Sequence, residues 1–233
     1  MKRNLSALRQ KKFDLIVVGG GIYGSCAALD AAQRGLSVAI IERGDFCSAT
    51  SANSFKIIHG GIRYMQHGDI SHVRQSAQAR SFLLRTAPHL TRPFPVVVPT
   101  YGYGMKSKGI MRIAMALYDM ITCDRNRDIK DPARHVPPGY CLSREEVMQR
   151  YPDVDQDGLS GAAVFHDGQM YNPPRLVLAF VRAAAELGAE AANYVEATGF
   201  IREGRRITGV IARDVLTVRD PLRNGSQCCG ALR

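Results

Sequence analysis

The sequence predicts an α/β fold built on a doubly wound parallel sheet, and three observations near its N-terminus predict it. A short, continuously apolar run, FDLIVVGG at 13–20, enters glycines and is typical of a strand buried on both faces. A helical pattern of small residues follows over 21–35 and ends at Gly35, and LSVAIIE at 36–42 predicts a second buried strand. A strand, a helix and a strand in this order open a doubly wound sheet.

The totals are those of an ordinary globular protein. The chain has 233 residues, of which 45% are hydrophobic and 22% charged, so it is long enough to bury a core. No apolar run approaches the roughly 18 residues of a membrane-spanning helix. The six cysteines have no zinc-ligand spacing, so we expect reduced thiols in a cytosolic setting and no metal site.

Much of the net charge of +10 lies at the N-terminus. The first twelve residues, MKRNLSALRQKK, contain five Lys/Arg and no acid, and no apolar segment of a secretory signal follows them. We therefore expect a basic arm over 1–12 that is either solvated or in weak contact with an acidic surface such as anionic lipid. No nucleic-acid-reading motif accompanies the charge, so nucleic acid is not an expected partner.

The middle and later parts of the chain predict further helices and strands. An Arg-rich helical pattern spans 71–90, and the prolines of PFPVVVPTY confine the strand after it to an edge or to strand ends. The amphipathic pattern at 109–122 predicts a helix whose apolar stripe fills core. That stripe consists of Ile113, Leu117 and Met120 or Ile121. A capping box from Ser143 to Glu146 predicts a short helix.

A glycine fingerprint lies between the first strand and the first helix. Gly19, Gly21 and Gly24 have the G-x-G-x-x-G spacing, which permits a tight turn, a close approach to a pyrophosphate and close helix–strand packing. Glu42 ends the second strand, where a carboxylate can accept from both ribose hydroxyls. Triplet, context and acid together predict dinucleotide binding, against the alternative of a structural glycine-rich turn.

The residues after Glu42 favour FAD over NAD as the dinucleotide. Arg43 follows the acid, and SATSANS at 48–54 brings hydroxyls and amides that can bond a second pyrophosphate face and the ribityl chain. A polar surface turn is the alternative interpretation of these hydroxyls.

These stretches closely resemble the start of the FAD-dependent glycerol-3-phosphate dehydrogenases, which belong to the amino-acid-oxidase-like flavoproteins. The resemblance rests on FDLIVVGGGIYGSCAALDAAQRGLSVAIIERGDFCSATSANSFKIIHGGIRYMQ, APHLTRPFPVVVPTYGYG, ALYDMIT and FHDGQMYNPPRLVLAFVRAAAELGAEAANYVEATGF. It covers about residues 13–212, and HGGxRY after the Thr/Ser loop is a specific motif of the group.

The resemblance implies an oxidation of sn-glycerol 3-phosphate to dihydroxyacetone phosphate, with hydride leaving C2 for the flavin while a base takes the hydroxyl proton. Electrons are then expected to pass to a quinone. Such an enzyme is expected in the cytoplasm, peripherally on the inner face of a membrane.

The resemblance also implies site residues by position. Thr50, Ser51 and Ser54 are expected near the pyrophosphate and ribityl chain, and the backbone of Ala197 near the adenine. With Arg43 and the glycines at 60 and 61, which are expected from their positions after the acid and in the HGG segment, the full set of expected cofactor contacts is Gly19, Gly21, Gly24, Glu42, Arg43, Thr50, Ser51, Ser54, Gly60, Gly61 and Ala197. The resemblance implies Arg63 and Tyr64 near the substrate pocket, and His59, in the same motif, is a further catalytic candidate because an imidazole can act as a base.

Physical chemistry agrees with placing a phosphorylated substrate beside Arg63, because a guanidinium stays charged and offers several donors to a phosphate. The glycines at 60 and 61 allow backbone to pass close to a flavin ring. Two structural alternatives remain open: Arg63 pairs with a surface carboxylate, and His59 is a satisfied core histidine. The general base is not identified by the sequence.

The expected organisation is a basic arm at 1–12, a first FAD-binding segment at 13–70 and part of a substrate domain at 71–159. A second FAD-binding segment at 160–214 and an irregular tail at 215–233 follow. The family's chains are considerably longer, so we expect an incomplete copy with half a flavin site. The alternatives to the dehydrogenase are a related flavin oxidase or dehydrogenase of amino acids or amines, and a non-catalytic truncated remnant.

Overall fold

The computed structural model describes residues 1–102, 108–218 and 227–232. In these ranges the helices are α1 (Leu5–Gln10), α2 (Ile22–Gln33), α3 (Ile70–Thr86), α4 (Lys108–Ile121), α5 (Arg144–Arg150), α6 (Pro173–Glu186) and α7 (Val215–Val218). The strands are β1 (Lys12–Phe13), β2 (Leu15–Val18), β3 (Val38–Ile41), β4 (Ile57–Ile58), β5 (Thr91–Tyr101), β6 (Tyr140–Leu142), β7 (Leu159–Met170), β8 (Glu190–Ala192), β9 (Val195–Glu203), β10 (Arg206–Asp214) and β11 (Gln227–Leu232). Among the described residues, no helix has both the length and the apolarity needed to cross a membrane.

The chain divides into two compact units. The first contains Met1–Phe55 and Asn172–Arg233, and the second contains Lys56–Tyr171. These boundaries differ from those expected at 70 and 160, because β4 pairs with the end of β7. Both strands therefore belong to the sheet of the second unit.

The first unit is built on the parallel sheet β2–β3–β8, which confirms the predicted α/β class. The central strand β3 is buried along its whole length, as its continuous apolar sequence predicts. Its side chains alternate between two cores: Val38 and Ile40 pack with α2 and α6, and Ala39 and Ile41 face the opposite side.

The opposite face of this sheet is covered by α1 and by an antiparallel arrangement of β9, β10 and β11. The expectation of an irregular tail is therefore wrong for its described parts. Val215–Val218 is helical, and Gln227–Leu232 pairs with β10 and with β1; residues 219–226 and 233 of the expected tail lie outside the described residues. Strand pairing uses backbone donors and acceptors, and side-chain periodicity does not report them in so short a segment.

The basic N-terminal arm is folded onto the first unit, so the expectation of a solvated tail is also wrong. Asn4 caps α1 by accepting from the Ala7 N–H at 3.1 Å. Leu8 is buried in the core beside β3, and Arg3 forms an ion pair with Asp214, whose side chain is almost completely buried. Apolar burial and this buried carboxylate hold the arm in place.

The second unit is organised by β7. The long strand β5 pairs with it from Thr91 opposite Met170 to Tyr101 opposite Leu159, while β4 and β6 also pair with β7. The proline-bearing β5 has β7 as its sole strand partner among the described strands, in agreement with the predicted edge position.

Helix α4 forms where the sequence predicts it, but its expected core stripe faces outward. Ile113 and Leu117 are 63% and 43% exposed, and Met120 is exposed as well. The buried face instead carries Met115 and Tyr118, and Thr122, directly after the helix, is buried as well. Periodicity therefore identified the helix correctly and the direction of its face wrongly.

The docking of the N-terminal arm leads to a prediction about stability. We expect Arg3→Ala to lower the free energy of unfolding by about 2 kcal/mol, because it leaves a buried carboxylate without its cation. Urea unfolding measures the change. Lys11→Ala is the matched control: it removes an exposed partner of Glu190, and we expect a loss below about 1 kcal/mol. Equal losses would contradict the role assigned to Asp214 burial.

Candidate functional site

The first candidate group is the glycine-rich turn between β2 and α2. Gly19 has a φ of +109°, which favours glycine, and its N–H donates to the Ile41 carbonyl at 2.8 Å. A Cβ at Gly24 would collide with the Gly19 carbonyl oxygen and approach Val17 to 3.1 Å. The turn therefore brings the start of α2 against β2 at a distance that a larger side chain would prevent.

Glu42 holds this turn to the end of β3. Its Oε2 accepts from the Gly20 N–H at 2.7 Å and its Oε1 accepts from the Gly44 N–H at 2.8 Å. An ionised carboxylate has about four lone-pair sites, so each oxygen keeps a site for a further donor such as a ribose hydroxyl.

The Thr/Ser-rich loop is connected to the same turn through Ser51. The Ser51 hydroxyl accepts from the Ile22 N–H at 3.1 Å, at the start of α2, and a Cβ at Gly21 would come within 3.0 Å of that oxygen. Thr50 and Ser54 are exposed on the loop. The Ser51 hydroxyl thus lies beside the helix N-terminus, where the N–H groups and the helix dipole favour an anion.

A cleft of about 310 Å³ in the first unit gathers four of the expected cofactor contacts. They are Gly19, Glu42, Arg43 and Ala197. Val195 and Glu196 also line the cleft, and the Val195 N–H donates to the Glu42 carbonyl at 2.8 Å. This pairing of the start of β9 with the end of β3 brings two distant parts of the chain to one site.

The second candidate group is the HGG segment of the second unit. Gly61 has a φ of +83° and begins the 3-10 helix Ile62–His67, which carries Arg63 and Tyr64. Both of these side chains are exposed, and the Tyr64 ring lies 5.2 Å from the ring of His72. No described residue forms an ion pair or a hydrogen bond with the Arg63 guanidinium, so the surface-carboxylate alternative receives no support.

Asp167, on β7, holds the HGG segment from beneath. Its Oδ1 accepts from the Gly60 N–H at 2.6 Å and its Oδ2 lies 3.0 Å from His59 Nδ1. The Asp167 side chain is 4% exposed and that of His59 is 71% exposed. His59 is therefore not a core histidine: one edge of its ring contacts a buried carboxylate and the rest is accessible.

Arg80 and Tyr118 complete this support. The fully buried guanidinium of Arg80 lies 3.4 Å from Asp167 and donates to the His166 carbonyl at 2.6 Å. Tyr118 accepts from Arg80 at 3.2 Å and donates to the Gly60 carbonyl at 2.8 Å. Burial raises the pKa of the Tyr118 hydroxyl, which keeps it a neutral donor.

The paired glycines have a reason that sequence reasoning missed. A Cβ at Gly60 would collide with the Arg80 guanidinium and the Tyr118 hydroxyl, and a Cβ at Gly61 would approach Ser76 to 2.7 Å. The glycines thus let the segment lie against its own unit; their expected approach to a flavin ring stays a prediction. Arg80, Tyr118 and Asp167 were not expected as site residues, since no local pattern distinguishes a buried Arg or Asp from an exposed one.

A family model described as FAD dependent oxidoreductase matches residues 14–222. The chain belongs to this family. FAD is the cofactor of this family, and the residues of the first unit fit its ADP half: a glycine turn at a helix N-terminus, and a carboxylate with spare acceptor sites.

Several curated proteins are similar to the chain. It is 35% identical over 216 residues to a glycerol-3-phosphate dehydrogenase of Synechocystis sp., with 92% of this chain and 37% of that protein covered. It is 36% identical to an alpha-glycerophosphate oxidase of Streptococcus pneumoniae, with 92% and 34% covered. The mitochondrial glycerol-3-phosphate dehydrogenase of Homo sapiens is 36% identical, with 91% and 29% covered. The chain thus spans about a third of the length of these relatives.

Solved structures share the fold. The glycerol-3-phosphate dehydrogenase from Bacillus halodurans, solved with FAD, has a TM-score of 0.66 at 24% identity. The match covers 98% of this chain and 34% of the Bacillus halodurans chain. The L-proline dehydrogenase from P. horikoshii has a TM-score of 0.63 at 21% identity, with 87% and 49% covered.

The geometry of Glu42 predicts its contribution to cofactor affinity. Glu42→Gln keeps a single acceptor oxygen for two backbone N–H groups and loses the charge, so we expect FAD to bind about 10–100-fold more weakly. Titration of flavin fluorescence measures the dissociation constant. Glu190→Gln, the same substitution at a carboxylate paired with Lys11, is the control and should leave FAD affinity unchanged. An unchanged affinity in Glu42→Gln would contradict this assignment.

His166, in the second unit, makes a pH-dependent contribution to the stability of the fold. Burial lowers the pKa of His166, with further lowering by the charges of Arg80 and Arg125, and its Nδ1 has no partner among the described residues. Below about pH 6.5, His166 therefore binds a proton in the unfolded chain, whereas in the folded unit it stays neutral to a lower pH. The stability contributed by neutral His166 is therefore present above that pH and is lost as the pH falls towards the lowered folded-state pKa.

We expect His166→Gln to lose less unfolding free energy between about pH 7.5 and 5.5 than the unsubstituted protein does, because the group that binds a proton only in the unfolded chain is gone. Urea unfolding at the two pH values gives the difference. Substituting the exposed His67 by Gln is the control and should leave the pH dependence as it was. A loss of equal size in His166→Gln would show that other groups cause it.

Proposed function

We propose that this chain contributes FAD-binding residues and part of the substrate site to the oxidation of sn-glycerol 3-phosphate to dihydroxyacetone phosphate. The observation that carries the proposal is the exposed Arg63 guanidinium, without a partner among the described residues, on a segment that buried groups hold in place. A phosphate dianion is the substrate group that such a fork of donors binds well. The names of the similar proteins from Synechocystis and Streptococcus pneumoniae support the same substrate.

The residues divide the chemistry between them. Arg63 binds the phosphate, and Tyr64 beside it offers a hydroxyl to the same end of the substrate. His59 is the candidate acceptor for the proton of the C2 hydroxyl, because its ring is accessible and supported by Asp167. Bound FAD would supply the hydride acceptor that the conversion of the C2 alcohol into a ketone requires.

For the electron acceptor we propose a quinone, with the protein at the inner face of a membrane. The competing acceptor is oxygen, since some of the similar proteins are named dehydrogenase and others oxidase. Hydrogen peroxide formed in step with glycerol 3-phosphate oxidation would identify oxygen, and reduction of a soluble quinone without peroxide would identify the quinone.

The rival activity is oxidation of an amino acid or amine. The L-proline dehydrogenase from P. horikoshii shares the fold of this chain, but that likeness concerns the fold alone and does not support the activity. Arg63, which has no partner among the described residues, favours a phosphorylated substrate. A phosphate dianion carries more negative charge than the single carboxylate of an amino acid, which also brings its own cation. The other alternative, a non-catalytic remnant, predicts no substrate-dependent reduction of a dye by the FAD-loaded chain.

Dye reduction by the FAD-loaded chain tests the proposal. We expect reduction with glycerol 3-phosphate and none with L-proline or glycine. Arg63→Gln should raise the KM for glycerol 3-phosphate by about 10–100-fold with a smaller change in kcat, because it removes charge-assisted hydrogen bonds to the phosphate.

Arg150→Gln, at an exposed arginine of α5, is the control and should leave both constants unchanged. Reduction with an amino acid in place of glycerol 3-phosphate would establish the rival activity. The absence of reduction with every substrate by FAD-loaded protein would establish the remnant.

A further inference from the structure

We propose that Asp167 is a positioning residue that fixes the tautomer of His59, with the proton on Nδ1 and the free lone pair on Nε2. The assignment follows from the hydrogen bonds of the second unit alone. Its catalytic consequence rests on the function proposed above.

The two oxygens of Asp167 have different partners. Oδ1 accepts from the Gly60 N–H at 2.6 Å and lies 3.4 Å from the Arg80 guanidinium, while Oδ2 lies 3.0 Å from His59 Nδ1. An ionised carboxylate can accept but cannot donate. Nδ1 must therefore carry the hydrogen in this contact, and in a neutral imidazole the other nitrogen, Nε2, is then the acceptor.

Arg80 makes the ionised form of Asp167 compatible with burial. The guanidinium has no exposed surface and the carboxylate has almost none, so an isolated charge on either would be costly. Their opposite charges and the Gly60 N–H offset part of that cost, while Arg80 Nε and Nη2 have no hydrogen-bond partner among the described residues. Tyr118, which bonds both Arg80 and the Gly60 carbonyl, prevents the pair from shifting relative to the HGG segment.

The exposure of the two side chains determines which ring nitrogen of His59 faces the solvent. Asp167 is buried beneath His59, and most of the His59 side chain is accessible. The nitrogen bound to Asp167 is thus held on the buried side, and Nε2 remains available to a ligand.

This arrangement suits a proton acceptor. In the proposed oxidation, the Nε2 lone pair would take the proton of the C2 hydroxyl, and FAD would supply the acceptor for the hydride that leaves C2. The imidazolium formed then has the Asp167 carboxylate as its counter-ion. With the opposite tautomer, Nε2 would carry a hydrogen and would have no lone pair for the substrate proton.

The tautomer can be measured directly by long-range ¹⁵N–¹H NMR on the uniformly labelled protein. The spectra are to be recorded at about pH 8, where an ordinary histidine is neutral, and without flavin or substrate. His59 is one of six histidines, and loss of its signals in His59→Gln assigns them. We expect protonated Nδ1 and unprotonated Nε2; the reverse assignment in the unsubstituted protein overturns the proposal.

Asp167→Asn provides the second measurement. Asparagine has one acceptor oxygen, which Gly60 and Arg80 occupy, so its NH₂ group faces His59 Nδ1. We therefore expect His59 to change to the Nε2-protonated tautomer. An unchanged tautomer in a variant with native circular dichroism overturns the proposal, and if this variant does not fold, the measurement on the unsubstituted protein decides.

Asp69→Asn is a matched control within the chain. Asp69 also bridges a backbone N–H and a histidine Nδ1, those of His72, at 3.1 and 2.6 Å, and asparagine is an equally good N-cap for α3. We expect the His59 tautomer to be unchanged in this variant. A change at His59 would show that it responds to remote carboxylates and would overturn the specific role of Asp167.

Kinetics of the FAD-loaded protein connect the tautomer to function. Asp167→Asn should lower kcat for glycerol 3-phosphate by about 100-fold or more, with a smaller change in KM, because Arg63 still binds the phosphate. A larger effect on KM than on kcat would overturn the catalytic consequence. The NMR result needs neither flavin nor substrate, so failure of the proposed function and failure of the tautomer assignment are separately observed.

Discussion

The buried contact between Arg80 and Asp167 is the interaction on which the candidate substrate segment depends. It joins α3, β7 and the HGG segment, since Asp167 also binds the Gly60 N–H and His59. Removing one partner of such a pair typically costs about 3–5 kcal/mol, whereas an apolar pair of similar volume is often as stable. The pair therefore contributes to geometry more than to stability, because it fixes the positions of Gly60 and of the His59 imidazole.

A carboxylate that accepts from glycine N–H groups is also present in the first unit. Glu42 accepts from Gly20 and Gly44, as Asp167 accepts from Gly60. Glycine allows the left-handed conformation and the close contacts that both turns need, but it loses much conformational entropy on folding. A carboxylate that binds backbone N–H groups offsets part of that loss and restricts the turn to one conformation, which a binding site requires.

Local sequence patterns predicted those features that depend on neighbouring residues. The roles of Gly19 and Gly24 follow from a short turn between a strand and a helix, and the capping box of Ser143 and Glu146 is present with both of its hydrogen bonds. Contacts between distant segments were not predictable in this way. Asp167 lies 108 residues from His59, and the inward face of α4 is the one on which Tyr118 binds the Gly60 carbonyl, not the apolar stripe that its periodicity indicates.

The sequence by itself determined the α/β class, the fingerprint turn and the family, because each rests on residue types at short, fixed spacing. Tertiary structure alone decided the packing of the N-terminal arm on the first unit, the pairing of the last described strand, and the contact of the buried Asp167 with His59. These depend on which backbone groups and buried charges remain to be satisfied once the sheets have formed. No window of local sequence contains that information, because the partners come from different parts of the chain.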